Sequence, residues 1–316
     1  MRLPHHAGPT VAEQGRRAVV RWLLPWLLLT TGLSLPGCRL PGTEGPVPKK
    51  LATCRELSQK ALAAAEQGQA EKAELLLEKA LRTCPVDYEA RRHYAEVLWK
   101  RGAQKEAIAQ LEEAVRLMDQ DSTLRVRLAE MQLEFGYADK ARQTAEEALD
   151  LDPKLASAWA IRGRAMRAAG QKPQALADFH RALGYAPGDR QILLEVAELY
   201  RQLNQPQRAL ATLQALADTY NPGEEPRDVL HLTALAYKAL GRYEDAVESL
   251  ATAVIRQTPT AELFYDLGDA ELLAGRPDAA AAAVEQALRL KPDHQPSRQL
   301  LQQLQVARQN GPTIRR

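Results

Sequence analysis

The feature that most constrains this chain is a repeat with a period of about 34 residues. Four columns of small or helix-terminating residues recur at this spacing between residues 68 and 209. A fixed period of this length is typical of a solenoid, in which each unit buries its apolar face against the next. The columns are Gly68, Gly102, Gly136 and Gly170; Ala73, Ala107, Ala141, Ala175 and Ala209; Ala80, Ala114, Ala148 and Ala182; and Pro85, Pro153 and Pro187, with Asp119 in the missing register.

The composition indicates that each unit is helical. Apolar residues make up 45% of the chain, yet only three are Phe, and Ala, Leu, Glu, Gln and Arg are abundant. These residues lose little side-chain freedom in a helix. In the unit from 156, Trp159 and Phe179 are expected to fill the space between two antiparallel helices, and Gly163 is expected to let those helices approach closely. Gly170 permits the turn between them, so the pattern predicts a helical hairpin.

The fourth unit, "SAWAIRGRAMRAAGQKPQALADFHRALGYAP", resembles the tetratricopeptide repeat in these packing columns. Arg162 and Met166 depart from the Leu and Tyr that are common in the family. The resemblance covers residues 54–294 and implies an all-α fold, a right-handed α-solenoid of about seven helix-turn-helix repeats with a C-terminal capping helix. Units are predicted to start near 54, 88, 122, 156, 190, 227 and 261, followed by a capping helix at 295–308 and a disordered tail at 309–316.

Two units depart from the pattern. The first is weak, and the fifth has Asn204 in the glycine column and Leu216 in an alanine column. The sixth starts three residues late, after the sequence "TYNPGEEPRD". The resulting insertion at 219–226 is either a longer turn or a hinge or partner contact.

The segment 1–37 is predicted to be a signal peptide or an N-terminal membrane anchor. Its apolar stretch "WLLPWLLLTTGLSL" follows three arginines and is shorter than the roughly 20 residues of a spanning helix. The following "LPGC" resembles the lipobox of bacterial lipoproteins, with Cys38 as the lipidated residue, although Pro36 departs from that pattern. Residues 38–53, rich in Pro and Gly, are then a lipidated, flexible tether.

This resemblance implies a periplasm-facing lipoprotein of the cell envelope. The outer membrane is favoured because Arg39, rather than an Asp that would signal retention, follows the cysteine. The alternative is an uncleaved single-pass anchor in the inner membrane, with the solenoid still outside the cytoplasm. The route of export stays open, because Arg16 and Arg17 fit either an ordinary basic region or a twin-arginine signal.

Charge and motifs exclude several classes of function. The formal net charge is +2, of which residues 1–37 carry +3, so the body carries about −1 and lacks the basic footprint of a nucleic-acid-binding protein. The sequence contains no H-E-x-x-H, G-x-S-x-G or Walker-type motif. We therefore expect no enzymatic activity, no cofactor and no metal site.

Two further cysteines fall in the first unit. Cys54 is predicted near the start of its first helix and Cys84 just after its second, and antiparallel helices bring these two ends together. In an oxidising compartment the pair could form a disulfide. Two buried free thiols are the alternative, since Cys packs as a small apolar residue.

The family resemblance implies a concave binding face, lined by five positions of each first helix. Arg164, Arg167 and Arg201 are expected to form a basic stretch for carboxylates or an acidic peptide. Trp99 and Tyr265 are expected as aromatic anchors. The lysine-and-asparagine carboxylate clamp of chaperone-binding relatives is not reproduced. The full set of groove candidates is Arg92, Glu96, Trp99, Glu130, Arg164, Arg167, Glu198, Arg201, His231, Lys238, Tyr265 and Asp269.

The leading functional hypothesis is a membrane-tethered protein–protein interaction scaffold in the cell envelope. A protein or peptide partner would lie in the concave groove, in an envelope assembly or export system. The alternative is an accessory protein that binds glycan or a polysaccharide or peptidoglycan synthase, which stacked aromatic residues in the groove would favour.

Overall fold

The computed structural model describes residues 49–256 and 258–309. The predicted signal segment, the lipidation site Cys38, the first part of the tether and residues 310–316 of the tail lie outside these ranges. The described residues form fifteen α-helices: α1 Lys49–Glu66, α2 Ala70–Thr83, α3 Tyr88–Arg101, α4 Gln104–Leu117, α5 Ser122–Glu134, α6 Ala138–Leu151, α7 Ala156–Ala168, α8 Lys172–Tyr185, α9 Arg190–Gln202, α10 Pro206–Ala217, α11 Arg227–Ala239, α12 Tyr243–Arg256, α13 Ala261–Leu273, α14 Pro277–Leu290 and α15 Gln295–Gln309.

The first fourteen helices form seven consecutive hairpins that stack in chain order, as an α-solenoid. Six of the seven first helices begin at the predicted unit starts from 88 to 261; they are α3, α5, α7, α9, α11 and α13. The exception is α1, which begins at Lys49 rather than near 54. The prediction that the flexible tether extends to residue 53 is therefore wrong. The sequence "KKLATC" contains no Pro or Gly, so nothing in it interrupts a helix.

Short polar residues and left-handed turns set the helix ends. The side chains of Asp87, Asp121 and Asp189 each accept a hydrogen bond from a backbone N–H in the first turn of the following helix, which satisfies a donor that the helix leaves unpaired. The interhelical glycines adopt positive φ, where a side chain is strained. In the fifth unit Asn204 takes this role with φ of 54°, because its short polar side chain tolerates the left-handed region.

Small residues allow the two helices of each hairpin to meet. The repeated alanines are almost completely buried, and Leu216, which replaces alanine in the fifth unit, is 1% exposed. Gly268 in α13 is packed most tightly: a Cβ there would lie 2.6 Å from Val284 Cγ2 and 3.1 Å from the Ala280 carbonyl oxygen in α14. The interface between α13 and α14 therefore requires glycine at this position.

A disulfide joins the two ends of the first hairpin. The structure links Cys54 in α1 to Cys84, the residue after α2, with Cα atoms 6.3 Å apart. The bond is the first of the two alternatives that the sequence left open. It closes a loop of 30 residues in sequence separation, which by the chain-entropy model contributes about 3 to 4 kcal/mol to stability.

The first helices of the units form the inner face of the stack. Helix α1 contacts α3, α5 contacts α7 and α9 contacts α11 directly, across the unit boundaries. Among the described residues, no two second helices contact each other as extensively. Because first helices lie closer together than second helices, the stack curves toward the first helices, and their exposed side chains line its concave side.

The insertion at 219–226 is held by the units on both sides. Arg190 Nε donates to Thr219 Oγ1 at 3.0 Å, and the same guanidinium lies 4.0 Å from the Tyr220 ring. Arg256 in α12 pairs with Glu225 at 2.5 Å. These contacts favour the longer turn over a hinge.

Helix α15 closes the C-terminal end. It buries Leu300 and Leu304 against α14, while the glutamines between them face solvent. A helix that is apolar on one side covers the last unit without offering a surface for another. None of the helices within 49–256 and 258–309 has the length and apolarity needed to cross a bilayer.

We predict that Gly268→Ala lowers the free energy of unfolding by about 1 to 3 kcal/mol, because the added methyl group overlaps Val284. Gly184→Ala is the matched control, because Gly184 lies in α8 and no described atom lies within 4 Å of the added Cβ. This substitution should raise the free energy of unfolding by about 0.5 to 1 kcal/mol, since Ala is the better helix former. Urea unfolding followed by circular dichroism measures both. Equal effects of the two substitutions would contradict the packing described here.

Candidate functional site

Ion pairs between consecutive first helices run along the concave face. Glu96 in α3 receives two hydrogen bonds from Arg127 in α5, at 2.6 and 2.7 Å. Equivalent ion pairs join Arg164 in α7 to Glu195 in α9 at 2.7 Å, and Lys238 in α11 to Asp269 in α13 at 2.9 Å. The two residues of each pair are 31 positions apart in the sequence. This is the repeat length less three, because a residue faces the position three before its own equivalent in the next unit. These pairs cross the boundaries between units and help to fix their stacking.

The three arginines of the predicted basic stretch differ in how far their charges are paired. Arg164 bonds to Glu195, which is 6% exposed, and Arg201 gives two hydrogen bonds to Glu198 at 2.7 and 2.8 Å. These carboxylates lie within the stretch and cancel part of its charge. Arg167 differs: its Nη1 lies 3.6 Å from Glu195 Oε2, beyond hydrogen-bond distance.

A groove on the concave face lies between α7, α9 and α11. Its volume is about 510 Å³, and three half-buried leucines, Leu194, Leu232 and Leu235, form its apolar part. Leu194 and Leu232 also pack against the main core, so they are held in place from below. We call this the leucine groove. Its polar lining consists of Arg167, Gln191, Glu195, Glu198, Arg201, Asp228 and His231.

A second depression adjoins the leucine groove and shares Arg167 with it. Its volume is about 470 Å³, and Arg164, Arg167 and Lys172 line it together with Leu133, Ala168 and Gln202. We call this the cationic depression, because its described lining residues include three cations and no carboxylate. The sequence predicted Arg164 and Arg167 here but not Lys172, which comes from the first turn of α8.

The concave face between α11 and α13 is instead a closed charge network. His231 Nε2 lies 2.7 Å from Asp266 Oδ2, and Lys238 Nζ lies 3.4 Å from Asp266 and 2.9 Å from Asp269. Burial alone would raise the pKa of the Asp266 carboxyl. The hydrogen bond from His231 and the charge of Lys238 outweigh burial and hold this pKa below its usual value of 3.8.

The remaining predicted groove residues lie away from the leucine groove. Arg92 and Glu96 line a smaller cavity of about 330 Å³ in the second and third units. Trp99 is half-buried and packs against the core around α3 to α5. Tyr265 packs at the C-terminal end, 5.7 Å from the His294 ring. The two proposed aromatic anchors thus belong to different parts of the solenoid and do not form one aromatic surface.

The structure adds site residues that the sequence analysis missed. Arg127, Glu195 and Asp266 occupy the sixth position of their helices, which was not among the positions considered. Opposite charges 31 residues apart, the repeat length less three, would have indicated the first two. Within the described ranges, no three His, Cys, Asp or Glu side chains are placed to hold a metal ion.

We predict that Asp266→Asn reduces the free energy of unfolding at pH 7 by about 1 to 3 kcal/mol, because the ionised carboxylate bonds to His231 and Lys238. Since the folded pKa lies below 3.8, this stabilisation is full above about pH 5 and is lost as the pH falls through the folded pKa. The difference from the wild type should therefore shrink in acid.

Urea unfolding of both proteins at pH 7 and at pH 3 measures this change. Asp245→Asn, which breaks an exposed pair with Arg242, is the control and should have little effect at either pH. A difference that stays constant with pH would show that ionisation of Asp266 contributes nothing.

Comparisons with known proteins agree with this fold. The tetratricopeptide repeat family model matches residues 58–123, 161–224 and 231–294, more than half of the chain. No curated protein matches the sequence. Among solved structures, a tetratricopeptide repeat protein from Parabacteroides merdae is 19% identical, with a TM-score of 0.59, over 80% of this chain and 99% of that one.

Two other similar structures belong to proteins whose roles have been described. PilW, described as a widely conserved type IV pilus biogenesis factor, is 19% identical over 64% of this chain and 93% of its own, with a TM-score of 0.57. YrrB, described as a tetratricopeptide repeat protein with an unusual peptide-binding site, is 18% identical over 60% and 96%, with a TM-score of 0.53. At these identities the likeness shows the fold alone. Together with the match over three stretches of the sequence, it shows that this chain belongs to the tetratricopeptide repeat family.

Proposed function

We propose that this protein is a non-enzymatic interaction scaffold that binds an extended segment of a partner protein in the leucine groove. The observation that carries the proposal is three half-buried leucines in a groove whose other lining residues are polar or charged. When a ligand covers leucine side chains that are accessible in a depression, the burial of their apolar surface makes the free energy of binding more favourable. The stacked hairpins hold them rigidly, so the groove needs no rearrangement to accept a segment.

The roles described for two proteins of similar structure are compatible with this proposal. YrrB has a peptide-binding site and PilW acts in pilus biogenesis, and both share the fold at low sequence identity. A peptide ligand is proposed for this protein because of its own leucine groove. The proposal of a glycan ligand has less support, because Trp99 and Tyr265 lie in separate core clusters.

We further propose that the scaffold works in the bacterial cell envelope, tethered through a lipid on Cys38. The apolar stretch and "LPGC" support the lipid, and the Cys54–Cys84 disulfide is compatible with an oxidising compartment. A tethered scaffold of this kind suits an assembly or export system, in which a partner is held close to the membrane.

Photo-crosslinking in cells tests the groove. A photoreactive amino acid at position 235 should yield an adduct with one partner protein, identified by mass spectrometry. The same amino acid at position 214 is the matched control, since Gln214 is exposed on the second helix α10. Adducts at 214 and none at 235, with both proteins folded, would move the interaction to the outer face and contradict the proposal.

Substitution of Cys38 tests the tether. We expect wild-type protein to incorporate a labelled fatty acid and to sediment with membranes, and Cys38→Ser to lose the label. Cys54→Ser combined with Cys84→Ser is the control, because it removes the other two cysteines and should leave the label in place. Retention of the label by Cys38→Ser would overturn the lipid anchor.

A further inference from the structure

We infer that the segment bound by this scaffold carries an acidic side chain next to an aliphatic one. The acidic side chain occupies the cationic depression and the aliphatic side chain occupies the leucine groove. The inference rests on the proposed function, since it names the chemistry of the ligand for the same face. It extends that function by adding Lys172 and by fixing the direction in which the ligand lies.

The cationic depression is built to receive a carboxylate. Arg164 uses only its Nε to bond Glu195, and Lys172 forms no ion pair within the described residues. Arg164 and Arg167 therefore present unused guanidinium donors, and Lys172 presents an ammonium. With Glu195 included, the four side chains still carry a net charge of about +2. Hydrogen bonds from cations to a carboxylate are among the strongest that a protein offers a ligand.

Arg167 couples the two cavities. Its side chain is 34% exposed, lines both of them, and makes no hydrogen bond to any described residue. The nearest carboxylate oxygen, Glu195 Oε2, is buried and also lacks a hydrogen-bond partner in the described part of the chain. The negative charge of Glu195 thus attracts the Arg167 guanidinium without accepting a hydrogen bond from it. The N–H groups of Arg167 therefore remain available to a ligand.

The shared lining sets the spacing of the ligand. A carboxylate bound at Arg167 lies at the boundary of the leucine groove, so the aliphatic side chain belongs to a residue close by. In an extended segment, residues two apart point to the same side and are separated by about 7 Å. An Asp or Glu within about two residues of a Leu, Ile, Val or Met therefore satisfies both cavities.

Charge at the other end of the groove sets the direction. Asp228 in α11 lines the leucine groove but not the cationic depression; its side chain is 70% exposed and its Oδ1 lies 3.3 Å from Arg227 Nε. A ligand carboxylate is therefore less favoured beside Asp228 than among the three cations of the cationic depression. The acidic residue thus points toward α8 and the rest of the segment runs toward α11.

A peptide selection tests this inference on the full chain, reconstituted in lipid nanodiscs so that no detergent competes for the leucine groove. The probe is a random dodecapeptide library fused through its C-terminus to a display particle, so that no free terminal carboxylate is present. We expect selected peptides to be enriched in an acidic residue within two positions of a large aliphatic one. A parallel library with free C-termini distinguishes a terminal carboxylate from an acidic side chain.

The best selected peptide, acetylated and amidated, is then measured by fluorescence anisotropy. We expect Arg167→Ala to weaken binding about tenfold or more and Lys172→Ala about threefold. Arg289→Ala is the matched control: it removes one exposed cation from the second helix α14 and should change nothing. Changing the acidic residue of the peptide to its amide should cost the wild type about tenfold and Arg167→Ala very little. Circular dichroism confirms that each variant is folded.

The outcomes separate the inference from the proposed function. Selected peptides that lack acidic residues, yet crosslink at position 235, would overturn the inference and leave the scaffold proposal standing. Peptides that bind only through a free C-terminus would also overturn it. The absence of any selected peptide together with no adduct at 235 would overturn both.

Discussion

Close contact between the two helices of each hairpin is the constraint on which the rest of this structure depends. A single hairpin cannot bury its apolar face, so it must pack internally at short range and then stack on its neighbours. Buried alanines in two columns, and glycines such as Gly268 against Val284, make that short range possible. Once the hairpins are tight, direct contacts between neighbouring first helices place these helices on the inner side of the stack.

The concave face that results is divided by charge. Ion pairs such as Glu96–Arg127 and Arg164–Glu195 join one first helix to the next. Where both partners are present the surface is occupied by its own side chains, as in the network around Asp266. Where leucines replace one partner, between α9 and α11, the face remains open. Ion pairs therefore delimit the leucine groove as much as the leucines themselves do.

Sequence periodicity predicted most of the fold, and for a physical reason. Glycine turns and buried alanines recur because a left-handed turn and a close helix contact both favour small residues, although Asn204 and Leu216 replace them in the fifth unit. Six first helices therefore begin at the predicted positions. Among the features that were missed, two have a plain cause. The start of α1 lay in a segment interpreted from its Pro and Gly content, although residues 49–53 contain neither. The partners of Arg164 and Arg201 were missed because ion pairing depends on the side chains that surround each position, which a list of groove positions does not contain.

The disulfide of the first hairpin has a mechanical consequence. Every residue that precedes Lys49 reaches the solenoid through α1, so any tension on that part of the chain is applied to this helix. An end helix held only by side-chain packing can be peeled away one turn at a time. Cys54 lies about a third of the way along α1, and its covalent bond to Cys84 passes the load to the end of α2. Tension then acts across a closed loop and two helices, and peeling of α1 stops at its second turn.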